Sequence, residues 1–413
     1  MALHVINEAR RCLHCKKPLC RTGCPINTNI PVMIEQFLNG NIDEAGQMLF
    51  DNNPLSIVCS LVCDHEKQCE GHCILGKKGS PVHISSIENY ISERFLAAHH
   101  PPRPPQNGLA AAIIGSGPAG LTIAIILAQR GYAVTIFESH DRIGGVLRYG
   151  IPAFRLPKSI LDRYQQRLLE LGVRIRPNTT IGGALRMDDL FRDGYSAVFI
   201  GTGVWRPNSL GIKGESLGNV HFAIDYLCNP AVYNLGETVS VIGAGNAAID
   251  AARTILRHGA RKVTIYARKP VLAASPREVE YAGVDGVDFH NCVRPVEIRP
   301  EGAVFRRLAY DAEGHAGEVE GEDFLEPSDS VVIAIGQGPK DKIVSTSRGI
   351  EINERGLVKT DAQGATTHPG IFASGDVVRG AKTVVEAVHC SKTVADAWTG
   401  ICGVCRVPRA DYL

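Results

Sequence analysis

Eight cysteines fall between Cys12 and Cys73, in two runs: Cys12-x2-Cys15-x4-Cys20-x3-Cys24-Pro25 and Cys59-x3-Cys63-x5-Cys69-x3-Cys73. Thiolates at these spacings suit cubane iron-sulfur clusters, and a last Cys before Pro that serves the neighbouring cluster is a feature of two-cluster ferredoxins. The expectation is two 4Fe-4S clusters with interleaved ligands. Paired four-thiolate zinc sites are the competing reading, because zinc also takes Cys-x2-Cys. The other five cysteines, Cys228, Cys292, Cys390, Cys402 and Cys405, are scattered. Two thiols cannot complete a four-ligand site, so Cys402 and Cys405 read as a flexible terminus unless a partner supplies the rest. The fourteen histidines show no ligand spacing.

A second chemistry is carried by glycines. Gly115, Gly117 and Gly120 follow an apolar run and open a helix that begins Pro118-Ala119, and Glu138 ends the next strand about 20 residues on. The glycines allow a tight turn and close approach of backbone to a pyrophosphate. The helix N-terminus offers N–H groups and positive dipole, and Glu138 accepts from ribose hydroxyls. A second such unit contains Gly243, Gly245, Asn246, Ala247 and Ala248, but its next strand ends in Arg268-Lys269 instead of a carboxylate. That exchange fits a 2′-phosphate and so NADP(H), with Arg277 a weaker contact; a solvated basic strand end is the alternative. Gly336 is a further candidate contact. A third signal is a strand ending in Gly375-Asp376, followed by a helix starting near Lys382 to Val384. Asp376 is placed for a ribityl chain, and Thr383 and Val384 open a helix whose dipole favours negative charge on a reduced flavin. A capping aspartate on a core strand is the bland reading of that segment.

These groups need scaffolds, and the chain is long enough for them. Its 413 residues allow two or three domains with their own cores. Net charge is +1, which offers no footprint for nucleic acid or an anionic membrane, so partners must be recognised locally. The longest apolar stretch, Leu121 to Ala128, is too short to span a bilayer, and the N-terminus lacks a signal-type apolar region. A cytoplasmic location is expected. The proline-dense residues 99–108 mark a boundary. Beyond it, β-runs alternate with glycine turns and amphipathic helices, as in βαβ units of a parallel sheet. The fold class is therefore α/β, with two nested Rossmann-like domains behind a small α-helical iron-sulfur domain. The expected divisions are 1–105 for the head, 106–234 for the first part of the FAD domain, 235–335 for an inserted NADP domain, and 336–413 for the remainder and tail.

From Ala111 to Ala397 the chain resembles the two-dinucleotide flavoprotein fold, in which one Rossmann domain is inserted into another. The stretch Ile143–Lys158 (IGGVLRYGIPAFRLPK) is similar to one branch of it. That branch holds the glutamate synthase small subunit, the electron-input half of dihydropyrimidine dehydrogenase, and the NADP-binding subunit of bifurcating ferredoxin:NADP transhydrogenases. The resemblance implies FAD, with Gly145, Val146 and Arg155 along it. It extends through the head, where it implies one cluster on Cys12, Cys15, Cys20 and Cys73 and another on Cys24, Cys63 and Cys69. The fourth ligand of the second is a Gln or Glu shortly after a Pro-containing strand, a place taken by Glu88. A polar helix residue is the alternative for Glu88, and Cys59 is left over as a buried thiol. Disulfide reductases of the wider superfamily need a redox cysteine pair beside the flavin, which neither 144–158 nor 228–292 supplies.

Hydride transfer from nicotinamide to flavin requires ring stacking and no protein nucleophile, so no catalytic acid or base is expected. The expected path joins NADP(H), FAD, two clusters and a partner subunit. No second catalytic domain is seen, and the head begins almost at its first cysteine motif, shorter than in the glutamate synthase form. The leading expectation is the NADP-binding subunit of an electron-bifurcating or transhydrogenase-type complex of an anaerobe. The electron-input subunit of dihydropyrimidine dehydrogenase or glutamate synthase is the alternative. From another class, a non-catalytic redox assembly module would bind the cofactors without turnover.

Overall fold

The cysteine-rich region is built on helices: α1 (Ala2–Ala9), α2 (Ile30–Leu38), α3 (Ile42–Asn52), α4 (Ser56–Val62) and α5 (Ile84–Ala98). In α2, Pro31 sits in the first turn, where its missing N–H costs nothing, and Ile30, Met33, Ile34 and Phe37 bury one face at helical spacing. With Leu49, Ile87 and Ile91 they form a core that includes Cys69, and Cys12, Cys20 and Cys73 pack against it. The thiols therefore project from a packed apolar support. Residues 81–83 pair with no strand, so the Pro-containing strand expected before Glu88 is absent and Glu88 lies in the second turn of α5.

The computed structural model describes residues 2–98, 100, 102–311, 316–340 and 342–404. After the proline stretch the chain forms β1 (Ala110–Ile114), α6 (Pro118–Gln129), β2 (Ala133–Phe137), α7 (Lys158–Glu170), β3 (Arg174–Arg176) and β4 (Ala197–Ile200). It then builds β5 (Val220–Phe222), β6 (Thr238–Ile242), α8 (Asn246–Arg257), β7 (Lys262–Ala267), α9 (Pro276–Asp285) and β8 (Val287–Asn291). An antiparallel trio follows, β9 (Val293–Arg299), β10 (Gly302–Tyr310) and β11 (Ala316–Pro327), and then β12 (Ser330–Ile333). The chain closes with β13 (Ile371–Ala373), α10 (Asp376–Arg379) and α11 (Val384–Val404).

Two units result, one of Met1–Leu147, Ala153–Val204 and Pro339–Leu413, the other of Trp205–Gly338 with Arg148–Pro152. In the first, a parallel sheet runs β13-β4-β1-β2-β3; in the second, a parallel sheet runs β5-β12-β6-β7-β8. In each, the strand before the glycine turn lies between its immediate successor and a strand from much later in the chain. That reversal of order is the switch point at which open α/β sheets bind ligands, at the carboxyl ends of the strands.

Within the first unit the head is tied to the sheet half by polar contacts. Tyr164 of α7 donates to the Pro54 carbonyl at 2.7 Å, and Arg167 donates to the Leu96 carbonyl at 3.2 Å. Lys392 of α11 donates to both oxygens of Asn52. The helix expected to start between Lys382 and Val384 starts at Val384, and Asp376 begins a one-turn helix of its own ahead of it. Cys402 lies within α11, while Cys405 is outside the described residues. No helix among the described residues is long and apolar enough to cross a membrane.

Candidate functional site

The first glycine turn is crowded on its inner side and open on its outer side. A Cβ at Gly120 would lie 2.0 Å from the Gly115 carbonyl oxygen, whereas one at Gly117 would meet nothing within 4 Å. Gly117 is the N-cap of α6, with Pro118 at N1 and Ala119 buried behind it. The open side lies at the helix N-terminus, and so suits a diphosphate.

Glu138, 3 % exposed, directly follows β2 beside this turn. One carboxylate oxygen accepts from the Ser116 N–H at 2.9 Å and from the Ser116 hydroxyl. The other accepts from the His140 N–H at 2.8 Å and faces His140 Nδ1 at 2.9 Å. Burial alone would raise this carboxyl, but the hydrogen bonds from His140 and Ser116 outweigh it and hold Glu138 below the usual glutamate value. Gly144 and Gly145 lie over the same turn: Gly144 N–H donates to the Ser116 carbonyl at 3.1 Å, and a Cβ on Gly145 would be 2.7 Å from Gly117 Cα. Val146 follows, half-buried, and Arg155 is half-buried further along that segment.

The third signal meets the first. Gly375 has φ 76°, and its Cβ would touch the methyl of Ala119 at 3.0 Å and of Ala387 at 3.8 Å. The first turns of α6 and α11 thus converge beside Asp376. Burial pushes the Asp376 carboxyl up to about 6, although it accepts from the Lys382 N–H at 3.2 Å. Thr383 caps α11 reciprocally with Glu386: Thr383 Oγ1 donates to Glu386 at 2.6 Å, and the Glu386 N–H donates to Thr383 Oγ1 at 3.4 Å. Val384 is the first residue of the helix.

In the second unit the same logic recurs. A Cβ on Gly243 would be 2.4 Å from the Ala334 carbonyl oxygen, while one on Gly245 would meet nothing within 4 Å. Gly245 is the N-cap of α8, Asn246 is exposed, Ala247 half-buried, and Ala248 fully buried in the third glycine position. Asn246 Oδ1 accepts the Ser275 N–H at 2.9 Å, which holds the loop after β7 against the turn. Arg268 and Lys269 are exposed on that loop, and Tyr310 donates to the Arg268 carbonyl at 2.6 Å. Arg277 lies in the first turn of α9, half-buried, and Gly336 at φ 94° pairs its carbonyl with the Asn208 N–H at 3.1 Å.

In the head, Cys12, Cys15, Cys20 and Cys73 all line one cavity of about 260 Å³, with otherwise almost wholly apolar walls including Ile30, Ile34, Leu75 and Val82. Burial pushes the Cys20 thiol up to about 11. Cys63, Cys69 and Glu88 form a second group near Cys24. The hydrogen bond with Cys59 and then burial raise the Cys63 thiol. Burial and then Glu88 raise Cys69, and burial followed by Glu70 pushes Glu88 up to about 8. Among the described residues no three His, Cys, Asp or Glu converge at single-ion distances. Four thiols set around a void fit the corners of a cube rather than one tetrahedral zinc. Cys59 is 3 % exposed and packs with Ile26 and Val385; Cys24, Cys63 and Val384 pack against the same group.

Several of these partners were not singled out from the sequence. Ser116 and His140 hold Glu138, and the Lys382 amide holds Asp376. The Thr383-x-x-Glu386 box was readable as a helix start; the contact of Val385 with the cysteines had no local signal. Outside the head, Cys228, Cys292 and Cys390 form no disulfide.

Residues 109–391 match the family profile described as pyridine nucleotide-disulphide oxidoreductase. Residues 2–100 match one described as dihydropyrimidine dehydrogenase domain II, 4Fe-4S cluster. The glutamate synthase [NADPH] small chain of Halomonas elongata is 36% identical over 92% of this chain and 87% of its own length. The NAD-dependent dihydropyrimidine dehydrogenase subunit PreT of Salmonella typhimurium is 32% identical over 96% and 94%. The Escherichia coli protein AegA is 34% identical over 95% of this chain, which spans only 65% of that longer relative. Among solved structures, Mycobacterium tuberculosis FprA in complex with NADPH superposes with TM-score 0.58 at 20% identity, over 71% of this chain and 85% of its own. That likeness is one of fold. The two profiles make the chain an α/β oxidoreductase whose cofactors are FAD, a nicotinamide dinucleotide and 4Fe-4S clusters.

Proposed function

Because the chain belongs to the pyridine nucleotide-disulphide oxidoreductases, in the branch of glutamate synthase small chains and PreT-type subunits with an N-terminal 4Fe-4S domain, we propose that it is the electron-input subunit of a heteromeric complex. In this reading it links NADP(H) to a partner subunit through FAD and two clusters. When bound, FAD exchanges hydride-derived electron pairs with nicotinamide and single electrons with iron-sulfur clusters. The protein's part is to hold these groups in order.

The observation that carries the reading is the packing of Cys24, Cys63, Val384 and Val385 in one apolar cluster. It joins one candidate ligand set, Cys24, Cys63, Cys69 and Glu88, to the first turn of the helix that follows Asp376. The other set, Cys12, Cys15, Cys20 and Cys73, lines a cavity bordered by Leu13, Leu19 and Ile74, which are 61 %, 45 % and 38 % exposed. The inner set adjoins the flavin side and the outer set adjoins solvent. With the groups bound, this arrangement would let electrons pass in the order nicotinamide, flavin, inner set, outer set, partner, or the reverse. At the flavin end the glycine turn at 115–120 takes the diphosphate, Glu138 the ribose and Asp376 the ribityl chain, and the capped start of α11 favours negative charge on the ring. Gly243, Gly245, Arg268 and Lys269 hold the nicotinamide dinucleotide, with the two bases selecting a 2′-phosphate.

Our reading of the assembly is an electron-bifurcating or transhydrogenase-type complex. The glutamate synthase and PreT relatives support a second choice, which keeps the same relay and changes only the acceptor subunit. Cys63→Ser tests the order. Flavin should still bleach with NADPH, while iron at the outer set, counted chemically, should no longer be reduced on the same timescale. Unchanged reduction of the outer set would sink the proposed sequence.

A further inference from the structure

The mouth of the outer cysteine cavity is bordered by two basic segments. The whole sequence is close to neutral, at 44 Lys and Arg against 43 Asp and Glu. Yet segments 9–24 and 71–82 hold seven Lys and Arg and no Asp or Glu. Six of the seven, Arg10, Lys16, Lys17, Arg21, Lys77 and Lys78, are exposed. The seventh, Arg11, is held by Glu8 and by the Ser80 and Pro81 carbonyls.

Within this basic area lie Leu13, Leu19 and Ile74, exposed apolar side chains that also line the cavity, together with Lys17. An isolated exposed leucine is ordinary. Three around one opening, framed by cations, have the make-up of a protein interface with an apolar centre and a polar rim. Two binding classes fit less well. A membrane-binding surface needs a longer apolar face, and an amphipathic helix to carry it, than a few loop residues and the five-residue helix Leu19–Gly23 provide. No Phe, Tyr or Trp interleaves these bases, which counts against single-stranded nucleic acid.

We infer that the rim of the Cys12, Cys15, Cys20 and Cys73 cavity is the docking surface for an acidic redox protein, whose carboxylates meet Lys16, Lys17, Lys77 and Lys78 while an apolar patch covers Leu13, Leu19 and Ile74. The inference rests on the relay proposed above, in which this set is the outermost. Charge of one sign around an electron port speeds encounter and orients the incoming partner, and both effects weaken as salt rises.

The test uses the full-length, cluster-reconstituted protein with an acidic plant-type 2Fe-2S ferredoxin as probe and basic cytochrome c as control. Binding is measured by calorimetry at about 20 and about 200 mM ionic strength, the range over which screening sets in. The wild type should bind ferredoxin and not cytochrome c, with affinity falling at higher salt. Lys16→Glu, Lys17→Glu, Lys77→Glu and Lys78→Glu combined should weaken ferredoxin binding at least about tenfold. Leu13→Ser should weaken it at either ionic strength. Because a quadruple reversal carries some folding risk, its iron content and NADPH:menadione rate are compared with wild type, and Lys16→Gln with Lys17→Gln provides a milder second variant that should weaken binding in the same direction. Absence of ferredoxin binding, binding insensitive to salt and to both variants, or equal binding of anionic phosphatidylserine vesicles through the same lysines would overturn the inference. Binding requires no electron flow, so failure here with NADPH-driven cluster bleaching intact refutes the docking surface alone. Binding as expected with silent clusters refutes the relay alone.

Discussion

Two alanines placed three residues apart in the first glycine turn should have opposite effects. At Gly120 the new methyl would sit 2.0 Å from the Gly115 carbonyl oxygen and 3.0 Å from its carbon, against a comfortable separation of about 3.5 Å. The obstacle is backbone, so the helix must move off the strand by more than an ångström. Overpacking of this kind costs about 3 kcal/mol at the upper end of its usual range, or on the order of 5 °C in Tm for a unit of this size. At Gly117 the methyl meets nothing within 4 Å and φ is −68°, so the flavin-free protein should stay within about 1 kcal/mol of wild type. The space it fills is the space assigned to the diphosphate. Loss of that close approach should weaken FAD by about 100-fold, equivalent to about 2.7 kcal/mol. Thermal unfolding of flavin-free protein and fluorescence titration with FAD separate the two effects. Should Gly117→Ala bind FAD as tightly as wild type, the diphosphate does not lie over that turn.

Three further outcomes are expected. The Asp376 carboxyl sits at about 6 because it is buried, above its unfolded value, so its contribution to stability falls as pH rises from about 4 to 6 and is least above that. Asp376→Asn should therefore stabilise flavin-free protein at pH 8 by up to about 3 kcal/mol, with no gain near pH 4, while weakening FAD; equal melting shifts at both pH values would contradict this. Glu138 is shifted the other way, held below the ordinary value by His140 and Ser116 against the opposing effect of burial. Its contribution is present at neutral pH and lost as pH falls through its folded value, so Glu138→Gln should flatten the acid limb of a stability profile. Replacing Arg268 and Lys269 with alanine should raise KM for NADPH about 30–100-fold more than for NADH, from the loss of charge-assisted bonds to a 2′-phosphate; equal effects in steady-state kinetics would withdraw the NADP(H) assignment.

What could be read from the sequence was what depends on neighbours along the chain. The glycine turns, their flanking strands and the cysteine spacings are local, and β2 and the strand ending in Ala267 fall where apolar runs and glycines put them. Chemistry that depends on distant pairs was not readable. Nothing in Pro81–His83 shows that it pairs with no strand, because an extended segment becomes a strand only if a partner lies alongside. Asp376 opens a short helix of its own because Gly375 and Gly380, at φ 76° and 77°, bracket a single turn. The hold of Ser116 on Glu138 joins residues 22 positions apart, and the contact of Val385 with Cys24 and Cys63 joins the two ends of the chain. The proposed order of the relay rests on that last contact, and no periodicity or spacing announces it.

The central claim is that one chain carries electrons between nicotinamide, flavin and two clusters. Its most direct test is an anaerobic titration of the iron-reconstituted protein with NADPH, and separately NADH, following flavin and cluster absorbance with FAD and iron quantified. The account predicts about eight irons and one FAD per chain, two four-iron clusters being implied by the ligand sets, with both chromophores bleached by NADPH at lower concentration than by NADH. Bound zinc in place of iron, or a flavin that bleaches while fully loaded clusters stay silent, would contradict it.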